Sequence, residues 1–280
     1  MKNYHVITNN EKDPDFKLSR KIQKYLEDRG CRCTYEEIER SEVHGSEYKL
    51  PDGVECIIVL GGDGTMIQVA GLVAGRVPLI GVNLGTLGFL QEVEPEGVED
   101  MLKRLISGDY ETENRMMLSG QDGIQNRNRY ALNDIIIYRN GGLRVVNYDI
   151  YVNQMLLATY YADGIILSTP TGSTAYNLSA GGPIVQPDAE AILLTPICPH
   201  NLSSRGIVLS ASDHIRIELV EQAPSRGGTA TVSFDGNGDV ILNPGEGINV
   251  QKAEVSTKLL KLNSESFLKT LSRKMTEGRT

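Results

Sequence analysis

The 280-residue chain has no tryptophan, four cysteines, four histidines and only 6% aromatic residues. Four cysteines in so long a chain do not make a disulfide framework, and Cys31-Arg-Cys33 has no partners at zinc-ligand spacing. Long hydrophobic runs are missing too. Stretches such as Ile57–Leu60 and Ile192–Leu194 fall far short of the ~18–20 residues that a membrane span needs. The opening Met1-Lys-Asn-Tyr-His-Val carries no apolar signal segment, so a cytoplasmic protein without a membrane partner is expected. Nor is there an excess of basic charge. Against 28 Lys+Arg stand 36 Asp+Glu, a net charge of −8, whereas binding a phosphate backbone takes a basic face; nucleic acid is not expected as a partner. Neither G-x-x-x-x-G-K-[ST] nor G-x-G-x-x-G occurs, so nucleotides, if handled at all, are handled by another scheme.

The composition that remains, 40% apolar and 23% charged, is ordinary for a globular chain, and the length allows about two domains. The first hundred residues alternate strand and helix signals. Strands are expected at Tyr4–Thr8, Cys31–Tyr35, Val54–Leu60 and Pro78–Asn83, and helices from Asp13-Pro14 to about Arg29, over 65–74, and over Pro95–Ser107. Val54–Leu60 is an almost unbroken apolar run, the mark of a strand buried on both faces of a parallel sheet. After about residue 110 the rhythm changes to strands separated by Asn/Gly/Pro turns: Tyr130–Tyr138, Leu143–Val152, Met155–Tyr161, Gly164–Ser168, Ile207–Leu209, His214–Val220, Thr229–Phe234 and Ile248–Val255. Only Thr171–Ala180 reads as helix there, and Ser264–Lys274 reads as a short amphipathic helix. The expected architecture is an α/β N-terminal domain with a parallel sheet over 1–112, a mostly antiparallel all-β domain over 113–255, and a helical tail over 256–280.

Glycine makes up 29 of the 280 residues, against an average of about 7%, and it bunches around Thr and Asp. Gly61-Gly62-Asp63-Gly64-Thr65 lies between the buried strand and a helix. In open α/β sheets ligands bind at the carboxyl ends of strands, and glycines followed by a helix N-terminus suit an anion, so Gly61, Gly62, Gly64 and Thr65 are candidate phosphate contacts. A carboxylate repels phosphate, so Asp63 is expected to act instead as general base toward, or orienter of, a hydroxyl that attacks phosphorus. A plain strand–helix turn capped by Asp63 is the alternative. The second dense segment is Asp163–Pro183, in which Ser168, Thr169, Thr171, Ser173 and Thr174 offer hydroxyls, Tyr176 a flat ring and Asp163 a carboxylate for sugar or amide donors. Its alternative is a capped helix whose hydroxyls satisfy the fold itself.

These segments, together with Asn83–Leu90, Asn133-Asp134, Leu194–His200 and Phe234-Asp-Gly236, follow one another in the order found in bacterial NAD kinases, and the chain resembles that family from residue 1 to about 255. The resemblance implies transfer of the terminal phosphate of ATP to the adenosine-ribose 2′-hydroxyl of NAD, giving NADP, with Mg²⁺ or another divalent cation accompanying ATP. It implies Asp63 as the catalytic carboxylate, also touching NAD, with Gly64 beside it and Phe89 walling the adenine pocket. It further implies NAD contacts from Asn133, Asp134, Asp163, Thr171 and the run Thr174, Ala175, Tyr176, Asn177, Leu178 and Ser179. Gln68, Arg144, Tyr161, Cys198 and Asn237 fall at positions that line the site in relatives, and a homodimer or homotetramer built through the β-domain is implied. Asp134 stands where Glu is usual, Tyr161 where some relatives carry Arg or His, and Asn237 where Gln or His is more usual. The donor (ATP, another NTP or polyphosphate), the choice between NAD and NADH, and the metal ligands stay open.

Two other functions share some of these features. A lipid or sugar kinase could use the GGDGT turn but has no need of 163–183, and a non-catalytic NADP-binding regulator could keep the pocket. Ser173 lacks the G-x-S-x-G elbow of a hydrolase nucleophile. His5, His44 and His214 are scattered and read as structural, Cys56 as a buried core residue, and His200 as either a site or a loop residue.

Overall fold

The structure, a computed structural model, describes residues 1–9, 11–38, 48–86, 88–122, 128–141, 146–200, 205–220, 228–263 and 267–277. The chain divides into two compact units, Met1–Asn114 with Thr257–Thr280, and Arg115–Ser256.

The first unit opens with β1 (Asn3–Thr8), α1 (Lys17–Glu27), β2 (Arg32–Glu37), β3 (Cys56–Gly61), α2 (Asp63–Val73), β4 (Leu79–Asn83) and α3 (Val98–Ser107). Its strands run in the order β2-β1-β3-β4 and all pair in parallel, which follows from strand–helix–strand crossovers. Every residue of β3 is buried, as its continuous apolar run demands. α3 turns Val98, Met101, Leu102 and Leu105 into the core beside Ile22 and Leu26 of α1. α1 starts later than expected. Asp15 and Phe16 take positive φ, which breaks the helix off from Asp13, yet the Asp13 carboxylate still accepts the Leu18 and Ser19 N–H groups and so caps α1 from outside.

The second unit is built from antiparallel strand pairs. β5 (Glu111–Asp122) leads into it, followed by β6 (Asn128–Ala131), β7 (Asp134–Arg139), β8 (Val146–Val152), β9 (Met155–Ala162), β10 (Gly164–Ser168), the single-turn α4 (Tyr176–Ser179), β11 (Ala191–Ile197), β12 (Ile207–Ser210), β13 (Ile215–Leu219), β14 (Ala230–Phe234), β15 (Asn237–Leu242) and β16 (Gly247–Lys261). One sheet has the order β12-β11-β10-β7-β14-β15; β16, β13, β8 and β9 pair in the other. Inward residues of both sheets form one core, with Leu118, Ile135, Ile150, Leu167, Ile217 and Val232 among its members. β16 ends in the first unit, where Leu259 pairs with Leu79 of β4, and α5 (Phe267–Glu277) follows. No helix among the described residues is long and apolar enough to cross a membrane.

Several expected elements differ. The strand Tyr130–Tyr138 is broken at Leu132-Asn133 into β6 and β7. The helix Thr171–Ala180 is a 3-10 turn at Thr171–Thr174 and then α4, because the segment's hydroxyls bond elsewhere. Strand β16 runs to Lys261, six residues beyond Val255 and into the span expected to be helical tail. β5, β11 and β15 are strands that the sequence pattern did not mark. The start of the Leu143–Val152 strand and of the Ser264–Lys274 helix lies outside the described residues.

Candidate active site

In the first unit, Asp63 opens α2 directly behind β3, with Gly62 extended as the cap residue. The Asp63 carboxylate accepts the Phe89 N–H at 2.7 Å on Oδ2 and the Leu90 N–H at 3.1 Å on Oδ1. These bonds fasten the turn to the segment after β4. Gly88 permits it, since a Cβ there would stand 2.5 Å from Asp63 Cγ. A carboxylate has about four lone-pair sites, so two such bonds leave acceptor capacity for a hydroxyl. Gly64 is exposed and Gly62 half-buried, as ligand contacts require. Gly61 is buried, and Thr65 is buried with its side chain against Gly61, so that hydroxyl faces the fold. The Phe89 ring is half-buried. Phe267 of α5 packs on it at a centroid distance of 5.6 Å, and the Lys274 ammonium lies 4.3 Å from its centre. Gln68 sits half-buried on α2.

In the second unit, Asn133 and Asp134 occupy the corner between β6 and β7. The Asp235 carboxylate accepts three successive N–H groups there, from Leu132 at 2.6 Å, Asn133 at 2.8 Å and Asp134 at 3.0 Å. The carbonyls of the corner are held from the other side: the Thr169 hydroxyl donates to Leu132 O at 2.6 Å and the Thr169 N–H to Asn133 O at 2.8 Å. Burial first, and the Asp235 charge second, push the Asp134 carboxyl up to about 7. Burial pushes Asp235 up to about 6, against the pull of its three N–H bonds. Asn237 donates its amide to Asp235 O at 3.2 Å, closing its own turn.

The same unit holds a cavity of about 610 Å³ lined by Ile136, Tyr138, Arg139, Asp163, Tyr176, Ile197, Ser233 and Gly236. It brings together two of the expected contacts, Asp163 and Tyr176. The Arg139 Nε–H donates to Asp163 Oδ1 at 2.7 Å, with both side chains partly exposed. The hydroxyl-rich segment does not present five hydroxyls to a ligand, as its composition suggests. Ser168 and Thr169 bond the β6–β7 corner, Ser173 bonds Val185, and Thr171 accepts from Arg115, all of them buried. Thr174 and Ala175 are half-buried, while Tyr176, Leu178 and Ser179 are exposed. Asn177 is fully buried: its amide donates to Ser173 O and Pro183 O and accepts the Thr195 hydroxyl at 2.7 Å. It shapes the loop from within. Tyr161 and Cys198 are exposed, and the Tyr161 carbonyl accepts the His200 N–H at 2.7 Å. Arg144 lies outside the described residues.

Sequence reasoning missed Arg139 and Asp235. Arg139 carries no local motif and meets Asp163 only because β7 pairs with β10. Asp235 stood in the Phe-Asp-Gly motif, but its partners lie about a hundred residues away. The contact of α5 with Phe89 had no sequence signal. Among the described residues no group of three or more His, Cys, Asp or Glu side chains could hold a metal ion.

Comparison with known proteins bears on both units. The family model described as "ATP-NAD kinase N-terminal domain" matches residues 5–110, and "ATP-NAD kinase C-terminal domain" matches 132–262. The chain is 44% identical over 279 residues to an NAD kinase of Agathobacter rectalis, covering 98% of this chain and 99% of that protein. It is 41% identical over 294 residues to an NAD kinase of Lachnospira eligens, covering 98% and 100%. Among solved structures, yeast NADH kinase complexed with NADH superposes with a TM-score of 0.79 at 25% identity, over 99% of this chain and 88% of that one. An NAD kinase from Archaeoglobus fulgidus in complex with ATP has the same fold, with a TM-score of 0.77 at 23% identity over 98% of both chains. Matched by family models across both units and by full-length relatives, the chain belongs to the ATP-NAD kinase family.

Proposed function

We propose that the chain phosphorylates NAD, transferring the terminal phosphate of ATP to the adenosine-ribose 2′-hydroxyl to give NADP, with Asp63 as general base. The observation that carries the assignment of Asp63 is its anchored carboxylate at the carboxyl end of β3, held by the Phe89 and Leu90 N–H groups with lone pairs to spare. The 2′-hydroxyl donates its proton to Asp63 as its oxygen bonds the terminal phosphorus; the bridging P–O bond breaks and ADP leaves. Phosphoryl transfer draws most of its acceleration from positioning and charge stabilisation, and a fixed carboxylate supplies the first of these. Gly62 and Gly64 contact phosphate oxygens, where free N–H groups of the first turn of α2 meet an anion. Asn133, Asp134, Asp163, Thr174 and Tyr176 bind NAD, and Asn177 keeps their loop in shape.

Among the described residues no His, Cys, Asp or Glu cluster would cage the divalent cation that accompanies ATP, and such a cation would bring charge neutralisation to the triphosphate while keeping much of its water. A homodimer or homotetramer belongs to the same reading, and light scattering on the purified chain tests it. The central test is a coupled assay with ATP and a divalent cation, run with NAD and with NADH, for wild type and Asp63→Asn. We expect the product to form with wild type and to fall by about 10²–10⁴-fold in the variant, the usual worth of a general base. A wild type that binds NADP but forms none overturns catalysis and leaves a regulator.

A further inference from the structure

The Asp235 carboxylate is engaged far from its own turn. Asp235 and Gly236 are the two central residues of the β14–β15 hairpin, both at positive φ (52° and 77°), with Phe234 paired to Asn237. That is the two-residue turn that Asp-Gly favours. A turn aspartate ordinarily bonds backbone within its own turn. Here it reaches the corner at 132–134 and takes its three N–H groups one after another, while the Asp235 N–H donates to Asp134 O at 3.0 Å.

Asp235 and the end of β10 thus hold the backbone of the corner from two sides. The side chains are left free: neither the Asn133 amide nor the Asp134 carboxylate has a hydrogen-bond partner among the described residues. Two polar side chains without protein partners on a fully bonded backbone are poised for a ligand. We infer that Asp235 is a positioning residue for the dinucleotide acceptor, setting the corner that presents Asn133 and Asp134. This rests on the proposal above that these two residues contact NAD.

The test measures kcat and KM for NAD and for ATP in Asp235→Asn and Asp235→Ala, with thermal melts to confirm the fold. Asparagine keeps one acceptor oxygen but turns an amide N–H₂ toward a backbone N–H; alanine keeps no acceptor. The expected result is graded: KM for NAD rises at least tenfold in Asp235→Ala and by less in Asp235→Asn, with KM for ATP within about twofold and kcat falling by less than KM rises. If Asp235→Ala does not fold, Asp235→Asn carries the comparison. A variant that loses kcat per milligram with KM for NAD unchanged shows a merely structural aspartate and overturns the inference while leaving the kinase reading intact. A wild type without NADP formation overturns both.

Discussion

Replacing Gly88 by alanine brings a methyl group against the carboxylate on which the proposed chemistry rests. The new Cβ would stand 2.5 Å from Asp63 Cγ, whereas carbon atoms settle at about 3.5–4.0 Å, so one side must move by about 1 Å. Asp63 cannot yield that far and keep both the 2.7 Å bond from Phe89 and the 3.1 Å bond from Leu90. If the loop yields instead, the same bonds stretch. Overpacking of this kind costs about 1–3 kcal/mol of stability, which lowers the melting temperature by about 2–4 °C per kcal/mol for a chain of this class. The effect on turnover is larger, because a 1 Å misplacement of a catalytic group costs about 10²-fold. We therefore expect Gly88→Ala to fold and to lose about two orders of magnitude in kcat in the coupled assay for NADP. The control is Ile22→Val, in the buried face of α1, which loses about 0.5–1.5 kcal/mol and keeps its kcat. A Gly88→Ala enzyme within twofold of wild-type kcat refutes the argument that this carboxylate must stay where the loop holds it.

Two further outcomes follow from buried polar groups. The Asp134 carboxyl, raised by burial and then by Asp235 from the usual 3.8 to about 7, binds more protons folded than unfolded, so it costs stability as pH rises from about 4 through 7. Asp134→Asn removes that cost. Its melting temperature should match wild type near pH 4 and exceed it by a growing margin toward pH 8, while NADP formation falls; a margin largest at acid pH contradicts the assignment. Asn177→Ala strips three hydrogen bonds from a fully buried site, leaving the Thr195 hydroxyl and two carbonyls without partners, and should cost about 2–4 kcal/mol by urea unfolding with m unchanged. A loss under about 0.5 kcal/mol would mean that the loop re-forms without it.

The α/β unit was legible because its signals are local. An apolar β-branched run makes a doubly buried strand, the glycine turn behind it opens α2, and the helical spacing of Val98, Met101, Leu102 and Leu105 gives the buried face of α3. The β-rich unit was legible as a class but not in register. β11 was missed, and β6 and β7 were fused, because an extended chain shows the same pattern until a side chain from elsewhere pins a corner into it. The hydroxyls of 168–174 show the same limit: composition cannot tell a hydroxyl aimed at ligand from one aimed at a neighbouring carbonyl.

By itself, then, the sequence determined the two kinds of layer, the turn that carries Asp63 and the family order of the motifs, all of which depend on residues near one another in the chain. Only the tertiary structure decided that Asp235 holds 132–134, that Arg139 meets Asp163, that α5 lies on Phe89 and that Asn177 turns inward. Each of those contacts is closed by strand pairing or packing between segments remote in sequence. What a polar side chain does there is fixed by which donors and acceptors the fold brings within about 3 Å of it.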